Sequence, residues 1–361
     1  MSTTTTIPVG PLHVALEEPM YFQVEVEGEV VQSIDMFAGN SHRGMEGLAR
    51  ERNLFQNIVL TERVCSLCSN NHPLSYCMAL ENLAGIAVPI RGQYLRVIAD
   101  EVKRIASHMF NVGIGIHVMG FHTLFMHAME LRERMQDLKE TVWGNRMDIA
   151  ANTIGGARYD LDNDRIAYIL RTLEELKKPV SEFLHMYRTH PQIKARTEGT
   201  GMFPLSEAKR YGTVGPVARG SGLDNDIRRE SPYAAYGDLT FGTVLEHGCD
   251  VRARALVRLR EIFESIKILE QCLQNMPGGP TVCDPLPRIP AGQAVSRTEA
   301  PRGELIYTIT TDGTLYPERL KWRVPTYVNW EALRVMLAGA KVADIALIVN
   351  SIDPCLSCTE R

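Results

Sequence analysis

Nowhere does this 361-residue chain stay apolar for long enough to cross a bilayer. Its longest apolar stretch, MFNVGIGIHVMGFHTLFMHAM at 109–129, is interrupted by an asparagine and three histidines. A spanning helix needs about 20 apolar residues, so this one reads as a buried helix. A basic excess is missing too: 39 Lys and Arg stand against 43 Asp and Glu, for a net charge of −4. That balance excludes the clustered positive surface that nucleic acid or an anionic membrane requires, and no nucleic-acid partner is expected. The start, MSTTTTIPVGPLHVALEEP, has neither the basic region nor the apolar run of a secretion signal. Cysteine is sparse, at eight. Without a secretion signal those cysteines are expected in a reducing compartment, where pairs more often bind metal than form disulfides. Internal repeats, low-complexity tracts and linkers are absent as well, so residues 1–361 are expected to form one domain.

What is present is mostly helical. Residues 21–31, YFQVEVEGEVV, put Phe22, Val24 and Val26 on one face of a strand, and Glu27-Gly28 supplies a turn into a second. From HRGMEGL the period becomes helical, with Met45, Leu48, Leu54 and Ile58 on one face. Between Pro89 and Pro179 there is no proline, which predicts long helices broken at Gly155-Gly156. A further proline-free run, 233–276, reads as one more long helix, and the proline-rich 277–301 as a loop or crossover. GELIYTITTDGTLYPERLKWRV then alternates around Asp312-Gly313 as a second hairpin, with a short helix from about 329. The expected fold is α+β, mainly α: a long-helix bundle core with small peripheral β-hairpins near both ends.

Chemistry concentrates at two places 290 residues apart. RVCSLCSNNH carries Cys65, Cys68 and His72, and SIDPCLSCTER carries Asp353, Cys355, Cys358 and Arg361. Two Cys-x-x-Cys pairs supply four thiolates, the number needed by tetrahedral zinc or an iron–sulfur cluster. A lone pair in helix-forming sequence is often mere packing; two are harder to dismiss. Zinc ribbons usually bring their pairs within a few tens of residues, because the site is the core of a small fold. Soft thiolates select nickel, copper(I), zinc or iron–sulfur, and Asp353 beside Cys355 is not something structural zinc requires. Redox or catalytic chemistry is therefore favoured over stapling. Cys77 and Tyr76 read as core, and Cys249, Cys272 and Cys283 as buried thiols without ligand spacing.

HRGMEGL…RVCSLCSNNH resembles the first metal-binding signature of the nickel–iron hydrogenase large subunit, and DPCLSCTER its last. EAPRGEL at 299–305 resembles the arginine-bearing segment of the same family. GPLH…EEP near the start and SCTER at the end resemble its membrane-bound, energy-converting branch, which is related to the quinone-side subunit of respiratory complex I. Within that branch the sequence most resembles the carbon-monoxide-induced group. The complex I subunit shares much of the fold but has lost the metal centre, whereas all four cysteines are present here.

The resemblance implies a nickel held by four cysteines, with Cys65 and Cys355 terminal. Cys68 and Cys358 would bridge to an iron that carries cyanide and carbon monoxide. H2 would be split heterolytically, the proton going to a nearby base. Arg302 would set its guanidinium over the open face of the metals, paired with Asp353. Glu18 would relay the proton from the terminal thiolate, with Glu17 its adjacent competitor. His72 would hydrogen-bond a bridging thiolate, or else be a satisfied core histidine. Ser107-His108 is expected only to pack. Glu46 matches a carboxylate that binds magnesium in many relatives. The sequence departs there, with Arg361 where those relatives carry histidine, so magnesium is doubtful and a Glu46–Arg361 ion pair could replace it. Ser66 stands where many relatives have glycine. The chain ends at or near the mature end of relatives that lose a C-terminal extension, being either processed or made without one.

The resemblance further implies a small subunit carrying a [4Fe–4S] cluster as electron partner. It also implies membrane subunits that pump ions, maturation proteins, and a peripheral place at the cytoplasmic face of the membrane. The rival expectation is a non-catalytic, complex-I-like scaffold or quinone-site subunit with structural zinc or no metal.

Overall fold

The computed structural model describes residues 4–361. A three-stranded antiparallel sheet opens the chain, β1 (Thr4–Val9), β2 (Tyr21–Glu27) and β3 (Val30–Phe37), in that order. Short helices α1 (Met45–Arg50) and α2 (Gln56–Glu62) lead through a bend into α3 (Asn71–Ala84). The long helices α4 (Ile90–Val118) and α5 (His122–Trp143) come next, then a minimal ribbon of β4 (Asn152–Thr153) and β5 (Gly156–Ala157), and α6 (Asn163–Thr189). Four short helices, α7 (Pro191–Thr197), α8 (Leu205–Tyr211), α9 (Gly215–Arg219) and α10 (Ile227–Glu230), precede α11 (Val251–Asn275). A second three-stranded antiparallel sheet follows, β6 (Ala291–Ala300), β7 (Gly303–Asp312) and β8 (Pro317–Arg323). The chain closes with α12 (Pro325–Asn329), α13 (Ala332–Leu337), α14 (Ile345–Ser351) and α15 (Leu356–Glu360).

The fold is mainly α with small antiparallel sheets, as the patterning predicts. α4 is its axis: nearly every residue from Tyr94 to Asn111 is buried, and the helix packs on α5, α11 and α14. α6 shows how a surface helix joins the bundle, because Ile169, Leu173, Leu176, Val180, Phe183 and Tyr187 recur at three- and four-residue steps and are all buried. Asp162 caps it by accepting from Arg165 N, and the helix runs on past Pro179. Buried side chains form two main clusters. One fills the bundle and the inner face of the first sheet. The other joins α3 to the second sheet through Tyr307, Ile309, Leu320 and Trp322, and it includes all four cysteines of the two pairs.

Several boundaries differ from the sequence expectations. The run 233–276 is not one helix: α11 starts only at Val251, because Asp250 caps it by accepting from Ala253 N, and Cys249 before it holds a left-handed φ of 59°. The apolar stretch 109–129 breaks between Val118 and His122, where Gly120 takes a φ of 81°. Residues 291–300, expected within a loop, form β6, pairing with β7 from Ala291↔Asp312 to Ala300↔Gly303. Both expected hairpins thus gain a strand. Cys272 is buried, but Cys249 and Cys283 are only partly so. Among the described residues no helix is long and apolar enough to cross a membrane.

Candidate metal centre

Cys65 and Cys68 lie in the bend between α2 and α3, with Asn71 N donating to Cys68 O at 3.1 Å to start the helix. The bend is held from α4. Lys103 Nζ donates to Ser66 O (2.9 Å) and Met147 O (2.5 Å), while Asp100 Oδ1 accepts from Asn70 Nδ2 (3.1 Å) and Asn71 Nδ2 (2.5 Å). At the other end of the chain Cys355 caps α15 and Cys358 sits within it; Cys355 N donates to Thr326 Oγ1 at 3.0 Å.

The two pairs meet. All four sulfurs lie within 4.8 Å of one another and are buried, with Cys68–Cys358 at 3.4 Å and Cys355–Cys358 at 3.0 Å. Four thiols so close cannot all ionise unaided. Cys68 is driven well below the ordinary thiol range by hydrogen bonds from Cys355, Cys358 and Cys65, whereas burial pushes Cys358 well above it. A soft cation would let all four serve as thiolates, so the donor set fits a thiolate-bound metal. Beside the sulfurs is a cavity of about 10 Å³ lined by Cys68, His72, Arg302, Thr326, Cys355 and Cys358 among others. That is room for about one water-sized molecule.

Arg302 stands at the tip of the two-residue turn between β6 and β7. The turn packs so tightly on the start of α9 that a β-carbon on Gly215 would lie 2.2 Å from Arg302 O, and one on Gly303 2.7 Å from Gly215 N. Only glycine tolerates this approach, and both have positive φ. Arg104 on α4 braces the strand before the turn, donating to Glu299 O (2.5 Å) and Ala300 O (3.2 Å). Held this way, Arg302 donates from Nε to Asp353 O (2.8 Å), from Nη2 to Asp353 Oδ1 (2.7 Å) and from Nη1 to Ser107 Oγ (3.5 Å). Burial opposes its charge, but Asp353 and then Cys355, Cys65 and Cys68 more than offset that, and it stays protonated. Asp353 itself adopts φ 56°, a strained conformation for a non-glycine residue, and its Oδ2 is buried without a partner.

His72 bridges two elements, with Nε2 3.3 Å from Cys358 Sγ and Nδ1 2.7 Å from Tyr307 Oη. Glu18 reaches the start of α15 and accepts from Leu356 N, Ser357 N (3.3 Å) and Ser357 Oγ (2.6 Å). Glu17 turns the other way, toward Asn350 Nδ2 on α14. Glu46 Oε1 pairs with Arg361 Nε at 2.7 Å. Ser107 touches Arg302, and His108 pairs with Glu261 at 2.8 Å, which is packing within the bundle. Sequence reasoning missed Asp100, Lys103, Tyr307, Thr326 and Asn350. No ligand spacing marks them: Asp100, Lys103, Tyr307 and Thr326 reach the centre from other elements, and Asn350 lies on the helix just before Asp353 without a motif of its own.

A bundle clamped to a small sheet thus encloses four buried thiols and an arginine, the arrangement of a thiolate-held metal centre. The family model for the nickel-dependent hydrogenase matches residues 43–112, and that for the 49 kDa subunit of respiratory-chain NADH dehydrogenase matches 119–287 and 283–361. The carbon monoxide-induced hydrogenase of Rhodospirillum rubrum is 62% identical over 99% of this chain and all of its own length. The membrane-bound hydrogenase subunit alpha of Pyrococcus furiosus is 36% identical over 98% of this chain and 87% of its own. Formate hydrogenlyase subunit 5 of Escherichia coli is 37% identical over 98% of this chain, which spans only 63% of that relative's length. The chain belongs to the nickel-dependent hydrogenase family, in the membrane-bound branch related to the 49 kDa subunit of complex I. It is an oxidoreductase, the catalytic subunit of an energy-converting hydrogenase.

Proposed function

We propose that residues 1–361 act as one unit that reduces protons to H2, reversibly, at a nickel–iron centre on Cys65, Cys68, Cys355 and Cys358. The observation that carries this reading is the meeting of four buried sulfurs within 4.8 Å beneath Arg302. Held there, with cyanide and carbon monoxide on its iron, such a centre would supply the place where two protons and two electrons combine into H2. The chain's own residues do the rest. Arg302, locked by both Asp353 oxygens it touches, presents a fixed positive charge to the small cavity. His72 fixes the Cys358 sulfur by its hydrogen bond and is itself oriented by Tyr307. Glu18 stands beside Cys355 through the first two residues of α15 and carries the proton to or from that thiolate. Glu46 is met by Arg361, which supplies the positive charge that magnesium would otherwise bring.

No further cysteine pair surrounds the centre among the described residues. Electrons therefore come from a partner, a small subunit carrying a [4Fe–4S] cluster, and maturation proteins load the metals. The pair docks peripherally on ion-pumping membrane subunits at the cytoplasmic face. The test is elemental analysis and infrared spectroscopy of the complex from its native host. Stoichiometric nickel with cyanide and carbonyl bands is expected. Zinc without those bands would overturn the reading in favour of a complex-I-like scaffold, which the 49 kDa family match over 119–361 makes the rival.

A further inference from the structure

Buried arginines in this bundle come with a carboxylate. Arg96 pairs with Glu81, Arg104 with Glu101, Arg219 with Glu261, Arg228 with Asp226 and Arg302 with Asp353. Among the described residues the exceptions are Arg254 and Arg258, one turn apart on α11. Arg254 is still well held, donating from Nε to Ser351 Oγ (2.9 Å) and from Nη2 to Gly201 O (2.9 Å). Arg258 has less. Its one hydrogen bond runs from Nη1 to Arg254 O (3.2 Å), and its Nε and Nη2 are buried without a partner. A buried charge is costly unless it is paired and hydrogen-bonded, so this guanidinium calls for an acceptor.

Helix register places it beside the centre. α11 runs antiparallel to α4, with Glu261 Oε2 2.8 Å from His108 Nε2 and Ser265 Oγ donating to Glu101 Oε2 at 2.6 Å. Arg258 lies one turn before Glu261, which sets it level with the turn of α4 that ends at Asn111. That turn faces the centre. Ser107 accepts from Arg302, and Asn111 Nδ2 donates to Asn350 O (3.0 Å), the carbonyl that also accepts from Asp353 N (2.8 Å). The Arg254–Ser351 bond ties α11 to α14 two residues before Asp353. Arg258 therefore sits in the wedge where α4, α11 and α14 converge on the 350–353 turn.

The unmet acceptor of that turn is Asp353 Oδ2, buried without a partner, while Oδ1 and the main-chain oxygen are taken by Arg302. Burial opposes the charge on Arg258, and Asp353 is the charge that most supports it, against Arg302. The two side chains make no direct bond. A water between them would accept from the guanidinium and donate to the carboxylate, satisfying both. Asp353 also holds a left-handed φ of 56°, and such a conformation persists only where its surroundings over-determine it.

We propose that Arg258 is a positioning residue for Arg302: ordered water joins its guanidinium to Asp353 Oδ2, so that an arginine grips Asp353 from each side. With both carboxylate oxygens held, Asp353 cannot turn, and Arg302 keeps its place over the sulfurs. The effect on turnover rests on the hydrogenase reading above; the bridge itself does not.

The first test is an experimental structure of the intact complex that resolves ordered water. Density bridging Arg258 and Asp353 Oδ2 is expected, and its absence would overturn the proposal whether or not metal is bound. The second compares Arg258→Met, which removes the charge at similar volume, with Arg258→Lys, which keeps it. Nickel, infrared bands and H2 evolution are measured on the same samples. Arg258→Met should keep nickel, shift the carbonyl band and slow H2 evolution by roughly 10- to 100-fold. Arg258→Lys should recover most of the rate and the original band. An unshifted band in Arg258→Met, at a rate within about twofold of the unaltered complex, contradicts the proposal. So does an assembled Arg258→Met complex without nickel, because a positioning residue leaves the ligands in place. Should that variant fail to assemble, the bridging density decides alone. Absence of nickel from the unaltered complex is a different failure, of the hydrogenase reading, and the same map still tests the bridge.

Discussion

Cys65 and Cys68 sit on a bend held from below by α4, whereas Cys355 and Cys358 ride on a five-residue helix held from the side by the N-terminal segment. The first pair is braced by fully buried charge: Asp100 on two asparagines, and Lys103 on two carbonyls. The second is braced by half-exposed groups, Glu17, Glu18 and the Glu46–Arg361 pair, together with the buried Thr326. All four cysteines share one buried cluster, but the first pair is braced from the long helix α4 and the second from the two ends of the chain.

If both halves hold one centre, losing a thiolate from either must be equivalent. Cys65→Ser and Cys355→Ser should each reduce nickel and hydrogenase activity to background, the largest effect expected. Retention of nickel in either one would break the symmetry and leave a centre held by a single pair.

Stability should divide the halves sharply. Asp100→Ala leaves the Asn70 and Asn71 amides buried without their shared acceptor, a loss of about 1–3 kcal/mol for each, while Arg104 keeps Glu101 and two carbonyls. Glu18→Ala removes only the capping acceptor of α15, about 0.5–2 kcal/mol. Denaturant melts of the metal-free subunit would check the order, and equal losses would refute the division between the two sets of braces.

The half braced from α4 should also carry a pH signature. Burial first, with Glu101 adding to it and Arg104 opposing, raises Asp100 from 3.8 to about 6. The folded form thus holds this proton more tightly than the unfolded chain. Its contribution to stability is complete below about pH 4 and is lost as pH rises through 6. Asp100→Asn should flatten the fall in melting temperature between pH 4 and 7, and an unchanged slope would place the titration elsewhere.

What the sequence made legible follows the same boundary. The four cysteines, Arg302, Asp353 and His72 lie in local motifs, and the structure brings them together. The helical patterning gave α4, α5 and α6, because their apolar stripes are periodic over many turns. It failed where local capping outvotes composition, as at Asp250, and where a proline-rich approach ends in a strand, as at Ala291–Ala300. The braces were illegible for a different reason. Asp100, Lys103 and Arg104 carry no motif and all three are buried, and only their long-range partners explain why.

The weakest brace allows the finest test of how the second half is held. Glu46 and Arg361 keep 30% and 19% of their side chains exposed, so their 2.7 Å ion pair is worth no more than about 1 kcal/mol. Glu46 also accepts from the main-chain Trp322 N at 3.4 Å, and Trp322 Nε1 donates to Cys358 O at 3.3 Å, so the pair is linked to a ligand through one tryptophan. If the guanidinium stands in for a divalent cation, millimolar magnesium should leave the melting temperature of the unaltered protein unmoved. Arg361→Ala should lower it slightly and make it magnesium-responsive, since the freed carboxylate can then recruit the ion. A response already present in the unaltered protein would mean that Arg361 shares the site with a cation and does not replace it.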